Sequence, residues 1–174
     1  MKKFVKAAVA AALTAAALAS VPGTAGAATP QFSMPFVSAT PTALHAGQKV
    51  DGYYKIINKS GVTVTGTTWD LFIDQLGLTK SQPPMIWWRI DKGHWHLIHF
   101  GWAPPPVKGS EPQWQAFGMP FGTFKPHQTH TLELSWSFSQ KAHLGIYPAW
   151  ADLRDHTGGT IYCQNRVTAD FYHR

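Results

Sequence analysis

His130-Thr131-Leu132-Glu133-Leu134-Ser135-Trp136-Ser137-Phe138 alternates strictly between two kinds of side chain after its first residue. Successive side chains of a strand point to opposite faces. Leu132, Leu134, Trp136 and Phe138 then form one hydrophobic face, while Thr131, Glu133, Ser135 and Ser137 form a polar one. A helix would scatter those apolar residues around its circumference, so the run predicts a half-buried strand. A sheet built on such strands needs a second layer over its apolar side.

The same period recurs on both sides of this stretch. Val50, Gly52, Tyr54 and Ile56 alternate with Asp51, Tyr53 and Lys55, and Asn58-Lys59-Ser60-Gly61 reads as the turn that follows. From Val62 to Ile73 the phase changes, with Val62 and Val64 on one parity and Trp69, Leu71 and Ile73 on the other, so Gly66 marks a bulge or break. Leu144, Ile146 and Trp150 continue the β pattern. Gly158-Gly159 separates them from Ile161-Tyr162-Cys163, as a turn between strands does. No segment after the first 27 residues has a helical period. The expected fold is all-β, a sandwich of two sheets, with a small β-barrel as the alternative.

Residues 1–27 read as a cleaved export signal: Lys2, Lys3 and Lys6 precede the alanine-rich Ala7 to Val21, and Ala25-Gly26-Ala27 offers small residues for cleavage. The apolar stretch is too short and too weak to span a bilayer. The remaining 147 residues suit one domain, with residues 28–42 as an extended, proline-containing lead into an edge strand and 43–174 as the sandwich. Without the leader there are 12 Lys and Arg against 9 Asp and Glu, a net charge of +3. The basic residues are dispersed, which disfavours nucleic acid as a partner. Cys163 is the only cysteine, so no internal disulfide exists, and its place in an apolar strand favours a packed thiol over a metal ligand or cross-link.

Leu44-His45-Ala46-Gly47-Gln48, the alternating strand after it and Asn58-Lys59-Ser60-Gly61 resemble the opening of bacterial extracellular immunoglobulin-like domains. Phe124-Lys125-Pro126, Leu132 to Phe138 and Gly145-Ile146-Tyr147 resemble the later strands of that fold. The alanine-rich leader and tryptophan-rich body are similar to small exported actinobacterial proteins. The resemblance implies an immunoglobulin-like sandwich that is secreted, extracellular or cell-wall associated; it implies no activity.

Between about residues 78 and 123 lie seven prolines and five of the eight tryptophans, Trp87, Trp88, Trp95, Trp102 and Trp114. So broken a segment is expected as a long insertion on the sandwich, ordered by packing or by binding. Trp87 and Trp88, being adjacent, face opposite sides if they lie on a strand. An indole left exposed can stack on the apolar face of a sugar ring. The segment is therefore the candidate binding site of a non-catalytic module for extracellular polysaccharide or protein, set against a second hydrophobic cluster and a purely structural envelope role.

His94-Trp95-His96-Leu97-Ile98-His99 raises a copper or zinc alternative, since His94 and His96 on a strand would project from one face about 7 Å apart. His99, His127, His130 or Cys163 would have to complete the ligand set. No Gly-x-Ser-x-Gly elbow, His-Glu-x-x-His helix or nucleotide loop is present, so no enzyme is expected. Asp70 with Asp74, and Asp152 with Asp155, read as solvated or turn-capping carboxylates rather than acid and base pairs, and Asp155 to Gly159 as a turn rather than a calcium loop.

Overall fold

A computed structural model describes residues 30–38, 43–74, 82–104, 112–142, 145–166 and 171–173. The expected leader lies outside them. Fourteen strands follow one another: β1 (Phe32–Ser33), β2 (Phe36–Ser38), β3 (Ala43–Leu44), β4 (Lys49–Asn58), β5 (Val64–Asp74), β6 (Met85–Ile90), β7 (His96–Leu97), β8 (Gly101–Ala103), β9 (Gln113–Phe124), β10 (Thr129–Ser137), β11 (Gly145–Tyr147), β12 (Ala149–Arg154), β13 (Ile161–Arg166) and β14 (Phe171–His173). No helix occurs among the described residues, and hence none long and apolar enough to cross a membrane.

Two antiparallel sheets face each other as a sandwich that does not close into a barrel. The first runs β1-β4-β10-β6-β7, with β2 also on the free edge of β4, and the second runs β13-β12-β5-β9-β8. A three-stranded ladder, β11-β14-β3, adds the parallel pair β14 with β3. Among residues 30–38, β1 and β2 lie along one edge of β4.

Strand period places the core. Val50, Tyr54 and Ile56 of β4, Leu132, Leu134 and Trp136 of β10, and Ile86 and Trp88 of β6 point inward from the first sheet. Trp69, Leu71 and Ile73 of β5 and Ala149, Ala151 and Leu153 of β12 meet them from the second. The layers interlock through Trp69 and Trp88, whose rings sit edge to face with centroids 5.4 Å apart. Each fully buried large side chain contributes about 1.5–3 kcal/mol. Gly52 is needed in β4 because a Cβ there would lie 2.7 Å from the Phe36 ring.

The phase change in β5 is a bulge: register shifts between Val64 and Thr67, where Gly66 takes φ +65°. Buried Asn58 joins the two turns at one end of the sandwich, donating to the Val62 and Lys125 carbonyls at 2.8 and 3.0 Å and accepting from the Ser60 N–H and hydroxyl.

The stretch expected as an insertion is framework over its described residues. It supplies β6 and β7 to one sheet and β8 and β9 to the other. Proline density misleads here because β8 pairs only with Gln113–Gln115 and leaves the Pro120 end of β9 at an open edge, where a residue without an N–H is tolerated.

Candidate functional site

The outer face of the first sheet is assembled by strand register. Val37, Tyr53, Glu133 and Arg89 are successive cross-strand neighbours on β2, β4, β10 and β6. One step along the strands, Asp51, Ser135, Trp87 and Leu97 form the next row. Lys49, Ser137 and Met85 form the row after that. Trp87, Trp95, Val37, Met85 and Leu97 are each 37 to 48% exposed. Among the described residues the other substantially exposed large apolar side chains are Phe117 and Ile161. Sandwich strands ordinarily turn polar residues outward, so this concentration of apolar groups sets the face apart from the rest of the described surface.

Trp95 reaches the face through a tight turn. Asp91 and Lys92 both take positive φ, 47° and 64°, the backbone of a mirror-image hairpin turn between β6 and β7. The Gly93 N–H closes it on the Ile90 carbonyl at 2.8 Å, and a Cβ on Gly93 would lie 2.9 Å from that oxygen. The Asp91 carboxylate anchors the turn to β10, accepting the Thr131 N–H at 2.7 Å and contacting His130 Nδ1. Beyond the turn, Trp95 lies against Arg89, whose guanidinium carbon is 4.4 Å from the ring centroid. Arg89 is itself held by Glu133, with Nη2 and Nε 2.6 and 3.0 Å from Oε2. A planar guanidinium can bind carboxylate and aromatic face together, which fixes the indole.

Two depressions lie along this face. One of about 510 Å³ is bounded by Tyr53, Lys55, Arg89, Trp95, Thr131 and Glu133. The other, about 350 Å³, is bounded by Lys49, Trp87, Trp95 and Ser135. Asp51 and Trp95 border both, so the two adjoin and together make up the groove. Its walls combine flat apolar rings with hydroxyl, carboxylate and cationic groups.

The five tryptophans singled out by sequence therefore divide. Trp87 and Trp95 flank the groove, whereas Trp88 and Trp114 are buried in the core and Trp102 packs on Trp114 with centroids 4.7 Å apart. Trp87 and Trp88 do face opposite sides. Sequence reading passed over Tyr53, Arg89 and Glu133, although Asp91-Lys92-Gly93 between two β runs is a hairpin signal that would have brought Trp95 beside Arg89.

The histidines do not share one strand face. His96 is in β7, its ring 4.9 Å from that of Trp88, while His94 is in the irregular segment before it and His99 lies beyond β7 beside Pro83 and Pro84. His94 and His96 border a shared depression of about 470 Å³. His127 is exposed in a turn, His130 is held by Asp91, and Cys163 is in the other sheet. Among the described residues, no three His, Cys, Asp or Glu side chains group as metal ligands.

On the outer face of the second sheet, Arg154 lies between two buried carboxylates, Nε 2.7 Å from Asp70 Oδ2 and Nη2 2.8 Å from Asp152 Oδ2. Burial pushes the Asp152 carboxyl upward, and the Arg154 hydrogen bond and charge oppose that. Burial, with the Asp152 charge adding to it, pushes the Cys163 thiol up to about 12, so this thiol stays protonated and packed. Asp155 caps its own turn, accepting from the Thr157 N–H and hydroxyl and the Gly159 and Thr160 N–H groups. Beside the carboxylates, Phe72 stacks on Trp150 and meets Phe117 edge-on.

No family model and no curated protein matches this sequence. Among solved structures the chain is similar to AvmM, which catalyzes macrocyclization in alchivemycin A biosynthesis, with TM-score 0.59 and 10% identity over 82% of this chain and 89% of that one. A CBM3 of Hungateiclostridium clariflavum gives TM-score 0.46 and 12% identity over 77% and 97%. The CARDB domain of a Pyrococcus furiosus protein gives 0.43 and 12% over 83% and 89%. At such identities the AvmM likeness speaks for the sandwich fold alone.

Proposed function

We propose that the protein is a non-catalytic binding module that holds extracellular polysaccharide in the groove on the outer face of its first sheet. One observation carries this reading: the exposed Trp87 and Trp95 border a groove whose remaining walls are hydroxyl, carboxylate and guanidinium groups. A pyranose has an apolar face that an indole desolvates, and an equatorial rim of hydroxyls that needs both donors and acceptors. Tyr53 and Thr131 supply hydroxyls, Asp51 and Glu133 accept, and Lys55 and Arg89 donate. The leader expected at residues 1–27 would deliver this face to cell-wall and environmental polymers.

Fixing Trp95 against Arg89 lowers the ordering cost of binding. The test is co-sedimentation of the purified chain with insoluble cellulose, chitin, xylan and peptidoglycan. The wild-type chain is expected to sediment with at least one of them, and the Trp87→Ala/Trp95→Ala double variant to remain in the supernatant with unchanged circular dichroism. Failure to sediment with every polymer, or equal sedimentation of the double variant, overturns the reading.

A further inference from the structure

Resting on that reading, we infer that the groove takes an internal stretch of a neutral, linear polysaccharide, at least two consecutive sugar units laid along β4 and β10. Direction comes from register. The depression with Trp87, Lys49 and Ser135 lies toward one end of these antiparallel strands, and that with Arg89, Lys55 and Thr131 toward the other. From Asp51 to Lys55 the strand advances about 14 Å, more than one sugar ring occupies. Asp51 and Trp95 border both depressions, so sugar units seated in the two would have the Trp95 indole as a shared neighbour.

The two lobes differ in chemistry. One presents the Trp87 indole with Lys49, Asp51 and Ser135, whereas the other presents the Arg89 to Glu133 ion pair together with Tyr53 and Lys55. Successive sugar units therefore meet different surroundings, the Trp87 indole at one and the Arg89, Glu133 and Tyr53 groups at the other, with Trp95 beside both. A terminal-sugar binder would need a single closed pocket instead.

Neutrality follows from the sign pattern. Along the outer face of β4, Asp51 stands about 7 Å from Lys49, and Lys55, about 14 Å from Asp51, is left as a single cation at the far end. Glu133 neutralises Arg89 at 2.6 Å on the adjoining strands. Opposite charges spaced by less than the screening length of about 8 Å at physiological salt cancel beyond the surface. A polyanion or polycation consequently finds no extended field along the groove, while single hydroxyls still find donors and acceptors.

Affinity electrophoresis tests this with soluble glucan, xylan and galactomannan against polygalacturonate, at 50 and 500 mM NaCl, followed by calorimetry with one- to six-unit oligosaccharides of the retaining polymer. Expected are retention by a neutral polymer that high salt does not weaken, and affinity rising at least tenfold from monosaccharide to tetrasaccharide. Trp87→Ala should remove most of that chain-length gain, while Trp95→Ala lowers affinity at every length. Retention by polygalacturonate alone, loss of retention at 500 mM NaCl, or a monosaccharide bound as tightly as the tetrasaccharide overturns the inference and leaves polysaccharide binding standing. No retention by any polymer sinks both.

Discussion

Arg89 and Trp95 form a stacked pair, guanidinium carbon 4.4 Å from ring centroid, six residues apart in sequence and joined by the turn that ends β6. Arg89 is thereby shared between the indole and the Glu133 carboxylate. Arg89→Lys keeps the charge but loses the planar fork that serves both neighbours. Polysaccharide affinity by calorimetry is expected to fall roughly 3- to 10-fold, equivalent to about 0.7–1.4 kcal/mol. The midpoint of urea unfolding should move little, because exposed ion pairs contribute about 0–1 kcal/mol. Unchanged affinity would mean that Trp95 does not depend on Arg89 for its position.

The adjacent indoles Trp87 and Trp88 should respond oppositely to truncation. Trp88 is in the core against Trp69, so Trp88→Ala is expected to cost about 3–5 kcal/mol in urea unfolding. Trp87→Ala removes an exposed ring and should cost under about 1 kcal/mol while weakening ligand binding. Equal losses of stability would contradict the outward orientation of Trp87.

Removing the cation between Asp70 and Asp152 leaves two buried carboxylates without their counter-charge, Asp70 keeping the Gly118 N–H at 2.8 Å. Arg154→Met is expected to cost about 3–5 kcal/mol at neutral pH. Without the guanidinium, whose hydrogen bond and charge oppose the effect of burial, the Asp152 carboxyl would be held further above its ordinary range, so the folded state would bind a proton more tightly and the variant should regain stability as pH falls from 7 toward 5. Adding Asp70→Asn and Asp152→Asn should recover much of the loss at pH 7. Chemical unfolding across that range checks the sign.

The turn at Asp155 makes the reverse prediction. Hydrogen bonds, first from the Thr157 hydroxyl and then from Thr160, hold its carboxyl at about 2, below the ordinary 3.8. A depressed folded pKa contributes stability that is fully present above the unfolded value and is lost as pH falls through the folded one. Asp155→Ala should therefore flatten the fall in melting temperature between pH 4 and pH 2. A slope as steep as that of the wild-type chain would dismiss the turn as an acid-sensitive element.

The strands and their inward faces were legible because burial on one side imposes a two-residue period, clear from Leu132 to Phe138 and from Val50 to Ile56. The opposite facing of Trp87 and Trp88 followed from the same rule. Residues 85–104 and 112–124 were not legible as framework, since prolines read locally as loop and only the sheet order places Pro120 at an open edge. The groove was legible in part. Its tryptophans stood out by composition, but its polar walls come from β4, β10 and β6, and the register that brings Tyr53 beside Glu133 and Glu133 beside Arg89 is a long-range property. His94 and His96 do border one depression, but β7 begins at His96, so strand period alone does not relate them, and no third ligand groups with them among the described residues.

The ends of the two sheets bear on how these molecules behave when crowded together. β7 has two residues and β8 three, so each offers a newcomer very few backbone groups to zip onto. The longer rim strand β13 is tied down by Asn165, whose amide donates to the Met34 carbonyl at 2.6 Å. Copies arrayed side by side along a fibre would thus meet at short rims, and at the open stretch of β9 they would meet Pro120, which has no N–H to offer a stacking strand.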